Sequence, residues 1–214
     1  RQMCIRDSHQ CLDNNVDIIF SFILNNFLGD IMALTYSSML PLGTKMPSFE
    51  LKNVLDESMF DSSVLSNGKN SIIMVICNHC PYVIHYHDEI VRLWRDFGKE
   101  INFVAISSND INNYPQDGPE EMKNLFNDLK LNFPYLFDDD QSVAKSLMAE
   151  CTPEFYLFDK ISTLIYRGRL DSSSPGKDVK ITGEDLRKAI QLALNNEGLN
   201  EIQKPSMGCN IKWK

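Results

Sequence analysis

The chain is 214 residues long, enough for one well-buried domain with an appendage. Its formal charge of -8 excludes the basic face that nucleic acid requires. Six cysteines in a chain of this size do not make a disulfide scaffold, so their placement says more than their number.

Residues 1–31 look foreign to the rest. The apolar run from Val16 to Leu34 is interrupted by Asp17, Asn25, Asn26 and Asp30. A membrane span needs about 20 apolar residues with few or no charges, and no clean small-residue site marks a cleaved secretory signal. We expect an extension, artefactual or untranslated, ahead of a natural start at Met32. A membrane-associated leader is the alternative. Without the leader the chain reads as cytoplasmic, one domain over residues 32–214 with no membrane partner.

The segment Met39–Pro47 is loop-like, with two prolines and a glycine. Phe49-Glu50-Leu51 alternates as a short strand does, and Gly68 with Asn70 marks a turn. Ser71 to Ile76 is short, β-branched and uncharged, as a strand covered on both faces should be. From Cys80 the period changes. Val83, His87, Ile90, Trp94 and Phe97 fall at helical spacing, Pro81 suits the first turn and Gly98 closes the helix.

Ile101 to Ile106 is the next strand, and a polar loop over 107–118 leads to a helix opened by Pro119. Phe133 to Phe137 is a short strand. Asp138-Asp139-Asp140 reads as a turn and cap before a short helix, Gln141 to Glu150. Glu154–Phe158 and Thr163–Leu170 form a hairpin, and Thr182 with Asp185 makes a capping-box-like start for a helix ending near Asn195. No element is assigned to the tail, Leu199 to Lys214. The order β-α-β-α-β-α, then β-β-α, predicts an α/β fold with a central mixed sheet and helices on both faces.

Cys77 and Cys80 stand at the strand-to-helix joint. Unpaired N–H groups and the helix dipole favour a thiolate there. A two-residue spacing lets the sulfurs close and open a disulfide without refolding. The intervening dipeptide is Asn78-His79, and a protonated His79 would shift the couple towards oxidising potentials. The blander reading makes both cysteines small core residues.

With these residues in view, the chain resembles the thioredoxin-fold superfamily. More closely, it resembles the peroxiredoxin-like branch of the alkyl hydroperoxide reductase/thiol-specific antioxidant family. The blocks that carry the resemblance are Ile76 to Val83, Val104 to Asp110, Cys151-Thr152-Pro153-Glu154-Phe155, Tyr166 to Asp171 and Gly208 to Lys214. The family fold implies a cis Thr152–Pro153 bond, which sets residue 152 against the Cys pair and offers its backbone to an extended substrate. It implies redox-active, antioxidant chemistry with no bound cofactor. Partners are a protein or small-molecule disulfide or hydroperoxide and a cellular thiol reductant. Two departures stand out. Thioredoxins carry a buried acid on the strand before the first cysteine, and Ser71 to Ile76 has none. Typical peroxiredoxins use Thr-x-x-Cys, whereas here Cys77 takes the threonine's place.

The lead expectation is therefore a thiol–disulfide oxidoreductase in which Cys77 is the exposed attacking thiol and Cys80 resolves, supported by Asn78, His79, Thr152 and Pro153. One alternative is a thiol peroxidase with Cys80 attacking peroxide. Another is a copper-handling protein using Cys77, Cys80 and either His85 or His87, although two helix positions two apart face different ways. Cys151 and Cys209 are candidate third thiols, with packing the plainer role for Cys209 in a tail. Arg167 and Arg169 read as solvated edge charges rather than substrate-steering groups.

Overall fold

In the computed structural model, which describes residues 34–199 and 202–214, the strands are β1 (Leu34–Tyr36), β2 (Glu50–Asn53), β3 (Met59–Asp61), β4 (Ser71–Val75), β5 (Asn102–Ser107), β6 (Tyr135–Phe137), β7 (Cys151–Thr152), β8 (Glu154–Phe158), β9 (Leu164–Gly168) and β10 (Met207–Asn210). The helices are α1 (Pro81–Phe97), α2 (Pro119–Asp128), α3 (Ser142–Ser146) and α4 (Glu184–Leu194). The expectations for residues 1–31, and the boundary at Met32, lie outside the described residues. Among the described residues no helix is long and apolar enough to cross a membrane.

Seven strands form the central sheet in the order β3-β2-β6-β5-β4-β8-β9. The pairs β4–β5 and β5–β6 are parallel and the rest antiparallel, so the sheet is mixed. All five residues of β4 are buried, which explains its unbroken apolar run. Alternation along the strands sends Ile73, Val75, Val104, Ile106, Tyr156 and Phe158 to one face, where Val143, Ala144 and Leu147 pack on them. On the other face Trp94 of α1 meets Phe103 and Phe133, and Phe126 of α2 meets Phe133 and Tyr135. Truncating a side chain such as Ile73 to alanine would cost about 2–5 kcal/mol.

A second sheet, β1-β10-β7, is antiparallel throughout. Its strands have two to four residues each, too few for a periodic pattern, and they exist through pairing alone. The tail is thus a docked strand and not a free end.

Local details differ from the sequence reading in three places. Gly98 ends α1 in a right-handed conformation, and a Cβ there would meet the Trp94 ring at 2.3 Å. Close approach to that ring, and not a left-handed turn, requires the glycine. Helix α3 stops before Glu150, and Met148 takes a φ of 51°. Its start is capped as expected, with Asp138 accepting from the N–H groups of Val143 and Ala144. The start of α4 is not a capping box. Asp171 accepts from the N–H groups of Thr182 and Gly183, both at 2.7 Å, and Asp185 instead pairs with Arg169 at 2.6 Å. The Asp171 carboxylate, from the segment after β9, thus serves the turn that leads into α4, while the Thr182 hydroxyl accepts from the N–H of Glu184 at 3.4 Å.

Candidate active site

β4 ends two residues before Cys77, and Cys80 is the residue that caps α1. Both are buried, Cys77 at 1 % exposure and Cys80 at 0 %. Cys77 is therefore not the exposed thiol that its place at the strand end suggested. Its Sγ lies 3.4 Å from Oγ1 of Thr152, while Sγ of Cys80 lies 3.2 Å from the carbonyl oxygen of Thr152. The Thr152–Pro153 bond is cis. Pro153 lines a groove together with Tyr36, Phe155, Asp171 and Met207.

The tail brings a third sulfur. Sγ of Cys209, on β10, lies 2.6 Å from Sγ of Cys80. This exceeds the ~2.05 Å of a disulfide bond, and both are free thiols. Cys151 is buried too, its Sγ 3.8 Å from Oε1 of Glu154. The fold thus gathers the four described cysteines around the start of α1 and the Thr152–Pro153 turn.

The two sulfurs of the motif are driven apart electrostatically. Interaction with the Cys209 sulfur and then the Cys77 sulfur holds the Cys80 thiol below its ordinary pKa, against the opposing effect of burial. The N–H of Val83, in the first turn of α1, adds to this. Cys77 moves the other way, because its own hydrogen bond favours the Cys80 thiolate and because burial and the Asp117 charge oppose ionisation. Cys209 is likewise raised by its bond to Cys80 and by burial. Burial pushes the Cys151 thiol up, and the neighbouring Glu154 charge adds to it.

Asp117 has no counterpart in the sequence reading, which saw only a polar loop. It sits in a 3-10 turn, Pro115–Asp117, and is fully buried. Oδ1 accepts from the N–H groups of Asn78 at 2.8 Å and His79 at 3.2 Å. Oδ2 lies 2.6 Å from Nδ1 of His79 and accepts from Nδ2 of Asn109 at 2.8 Å. Burial opposes its ionisation, yet these bonds keep its pKa below the ordinary carboxylate value. The His79 ring also stacks on Tyr114, with centroids 5.4 Å apart. His79 is thus engaged by Asp117, and the strongest influences on the two sulfurs are neighbouring thiols and burial, with the Asp117 charge adding at Cys77. Asn78 donates from Nδ2 to the Gln116 carbonyl and accepts from the Tyr135 hydroxyl, which fixes the loop.

A second buried acid, Glu154, was read only as part of the hairpin. Its Oε1 lies 3.4 Å from Nη2 of Arg167, and it accepts from the Tyr156 hydroxyl. Arg167 is no edge charge. It is 1 % exposed, donates from Nη2 to the Met148 carbonyl at 2.7 Å and lies over the Tyr156 ring. Two later segments thus bring buried acids close to the cysteines, Asp117 against the loop between Cys77 and Cys80 and Glu154 beside Cys151.

The histidines proposed as metal ligands on α1 are not where that role needs them. Nε2 of His85 lies 3.1 Å from the Ser173 hydroxyl, and Nε2 of His87 is buried without a partner. Among the described residues the group with ligand atoms close enough for a metal is Cys77, His79 and Asp117, all within 4.8 Å of one another.

Comparison with known proteins agrees with this geometry. The AhpC/TSA family matches residues 42–167. No curated protein matches the chain. A conserved protein from Geobacillus kaustophilus is 45% identical, with 85% of this chain and 97% of that one covered and a TM-score of 0.83. A hypothetical protein from Sinorhizobium meliloti 1021 is 34% identical, with 84% and 98% covered and a TM-score of 0.81. A thiol:disulfide interchange protein of the thioredoxin family from Chlorobium tepidum TLS is 17% identical, with 73% and 99% covered and a TM-score of 0.56. At that identity the likeness speaks for the fold, which is thioredoxin-like.

Proposed function

The chain belongs to the AhpC/TSA family, and from that premise we propose that it is a thiol–disulfide oxidoreductase whose working couple is Cys77 and Cys80. The observation that carries the reading is the placement of the two sulfurs at the joint of β4 and α1, both against Thr152, with Cys77 Sγ 3.4 Å from its hydroxyl and Cys80 Sγ 3.2 Å from its carbonyl oxygen. Of the two, the Cys80 thiol is the one whose pKa its neighbours lower. Cys80 is then the attacking sulfur and Cys77 the resolving one, the reverse of the order read from sequence.

In this scheme the Cys80 thiolate attacks one sulfur of a disulfide substrate, and the other sulfur leaves as a thiolate. A mixed disulfide forms between Cys80 and the retained half. The Cys77 sulfur then attacks Sγ of Cys80, the retained half leaves, and the two protons given up by the protein end on the two product thiols. The substrate gains two electrons and the protein holds a Cys77–Cys80 disulfide. Asp117 positions Asn78 and His79 between the sulfurs, and its charge resists a second thiolate at Cys77. A cellular thiol reductant would restore the dithiol. Cytoplasmic thiol pools would supply such a reductant, and the cytoplasm is the compartment that we propose.

The test is turnover of a disulfide substrate with dithiothreitol as reductant, beside hydrogen peroxide consumption, for wild type, Cys77→Ser and Cys80→Ser. Disulfide reduction lost in Cys80→Ser and slowed in Cys77→Ser, with peroxide consumption no faster than that of free cysteine, is the expected result. Fast peroxide consumption that survives Cys77→Ser and vanishes in Cys80→Ser would replace this reading with a peroxidase. The proximity of Cys77, His79 and Asp117 favours a second reading, a soft or borderline metal site such as copper. Stoichiometric metal retained after purification, and lost in His79→Ala, would support it.

A further inference from the structure

The edge of β7 is already occupied. In β10, Cys209 pairs with Thr152 and Asn210 with Cys151, antiparallel. This is the backbone that the family fold would offer to an extended substrate beside Pro153. A strand of the same chain therefore lies in that position and presents a cysteine 2.6 Å from the sulfur of Cys80.

The docking is specific. A Cβ on Gly208 would fall 1.9 Å from the Thr152 carbonyl oxygen and 2.7 Å from its carbon. Backbone atoms cannot yield as a flexible side chain can, so β10 reaches this depth because residue 208 is glycine. Beyond the strand the tail is held by its backbone. The N–H of Ile211 donates to Glu150, that of Lys212 to Oδ1 of Asn109, and the Lys212 carbonyl accepts from the N–H of Asp110 and Nε2 of Gln141. Asn109 in turn donates to Asp117, so one side chain joins the tail to the loop that carries Asn78 and His79.

We infer that β10 acts as an internal substrate strand, and that Cys209 is a second resolving thiol which exchanges with Cys80. The inference rests on the dithiol reading above. Once Cys80 holds half of a disulfide substrate, the Cys209 sulfur attacks Sγ of Cys80, the bond to the substrate breaks and the second product thiol leaves. The protons lost by Cys80 and Cys209 end on the two product thiols, and the substrate gains two electrons. Attack by Cys77 on the Cys80–Cys209 bond then frees Cys209, which takes the proton of Cys77. That step moves the disulfide to Cys77–Cys80 without net oxidation. Cys80 is the sulfur common to both bonds.

The experiment oxidises the full-length protein with a small-molecule disulfide, quenches with acid, alkylates and maps disulfides by mass spectrometry after trypsin. Trypsin leaves Cys77 and Cys80 on one peptide and puts Cys151 and Cys209 on two others. Cys77→Ser should yield a Cys80–Cys209 link as its dominant oxidised species. Adding Gly208→Ala should abolish that link, while Gly208→Ala alone keeps the Cys77–Cys80 bond. Circular dichroism reports whether each variant is folded, and where Gly208→Ala is not, the result for Cys77→Ser alone decides. A folded Cys77→Ser protein that forms no such link, or pairs Cys80 with Cys151, overturns the inference while a working Cys77–Cys80 couple leaves the dithiol reading standing. A link that persists in folded Gly208→Ala overturns the role of the docked strand. Wild-type protein that forms neither bond overturns the dithiol reading, and this inference with it.

Discussion

Oδ2 of Asp117 lies 2.6 Å from Nδ1 of His79, and the same carboxylate receives the backbone N–H groups of Asn78 and His79. A single acid from a loop downstream of β5 thus holds both residues between the two sulfurs. It also adds negative charge beside Cys77.

Replacing this acid should alter the site in a definite direction. Asp117→Asn removes the charge that opposes ionisation of Cys77, so the Cys77 pKa should fall. Thiolate absorbance against pH in a Cys80→Ser background reads the change. Global stability should drop by about 1–3 kcal/mol, since buried donors lose a charged acceptor. The folded Asp117 pKa lies below the ordinary value. Its contribution to stability is therefore complete above about pH 3.9 and is lost as the pH falls through the folded value. Urea unfolding at pH 7 and in acid should show the wild-type advantage over Asp117→Asn shrink.

Cys209 is the first cause of the lowered Cys80 pKa. Cys209→Ala removes that sulfur and leaves the influence of Cys77, so the Cys80 thiolate should titrate at higher pH than in wild type. Thiolate absorbance again measures it. Serine at this position would keep a hydrogen-bonding group and should restore part of the shift. An unchanged Cys80 titration in Cys209→Ala would show that Cys209 does not set the pKa.

The Glu154–Arg167 pair is buried on both sides, and Nε and Nη1 of Arg167 have no partner. Arg167→Met strands the Glu154 carboxyl, which burial already pushes up. The single variant should lose about 3–5 kcal/mol, and Glu154→Gln with Arg167→Met should lose less than the sum of the two singles. Denaturant unfolding of the four proteins closes the cycle, and simple additivity would mean that the two groups do not interact.

Asn109 bonds both Asp117 and the N–H of Lys212. Asn109→Ala should loosen the tail and the loop at once. The expected readout is faster reaction of Cys80 and Cys209 with a chromogenic disulfide under native conditions, with a loss of stability of about 1–3 kcal/mol. Equal reaction rates in wild type and variant would show that the tail stays docked without this side chain.

Much of this architecture was legible in the linear chain. The apolar run Ser71–Val75, the 3.6-residue stripe from Val83 to Phe97 and the hairpin after Pro153 are local patterns, and each became the element that its periodicity indicated. The Cys77–Cys80 spacing at the joint of strand and helix marked the candidate site for the same local reason.

What lay beyond the sequence depends on contacts between distant segments. Nothing in the neighbours of Asp117 says that it will bind His79, and nothing near Arg167 says that it will be buried against Glu154. The four-residue β10 has no period of its own and becomes a strand only because β1 and β7 supply its hydrogen-bond partners. The sequence points to Cys77 as the attacking thiol, and it is the Cys80 pKa that is lowered instead, for the same reason. Helix position favours a thiolate at either cysteine, but the sulfurs that select Cys80 are those of Cys77 and Cys209, and Cys209 arrives from the opposite end of the chain. Local periodicity determined the scaffold and the position of the dithiol. Long-range packing decided the surroundings of each sulfur and the direction in which its pKa moves, because a pKa responds to whatever lies within a few ångströms, regardless of its distance along the chain.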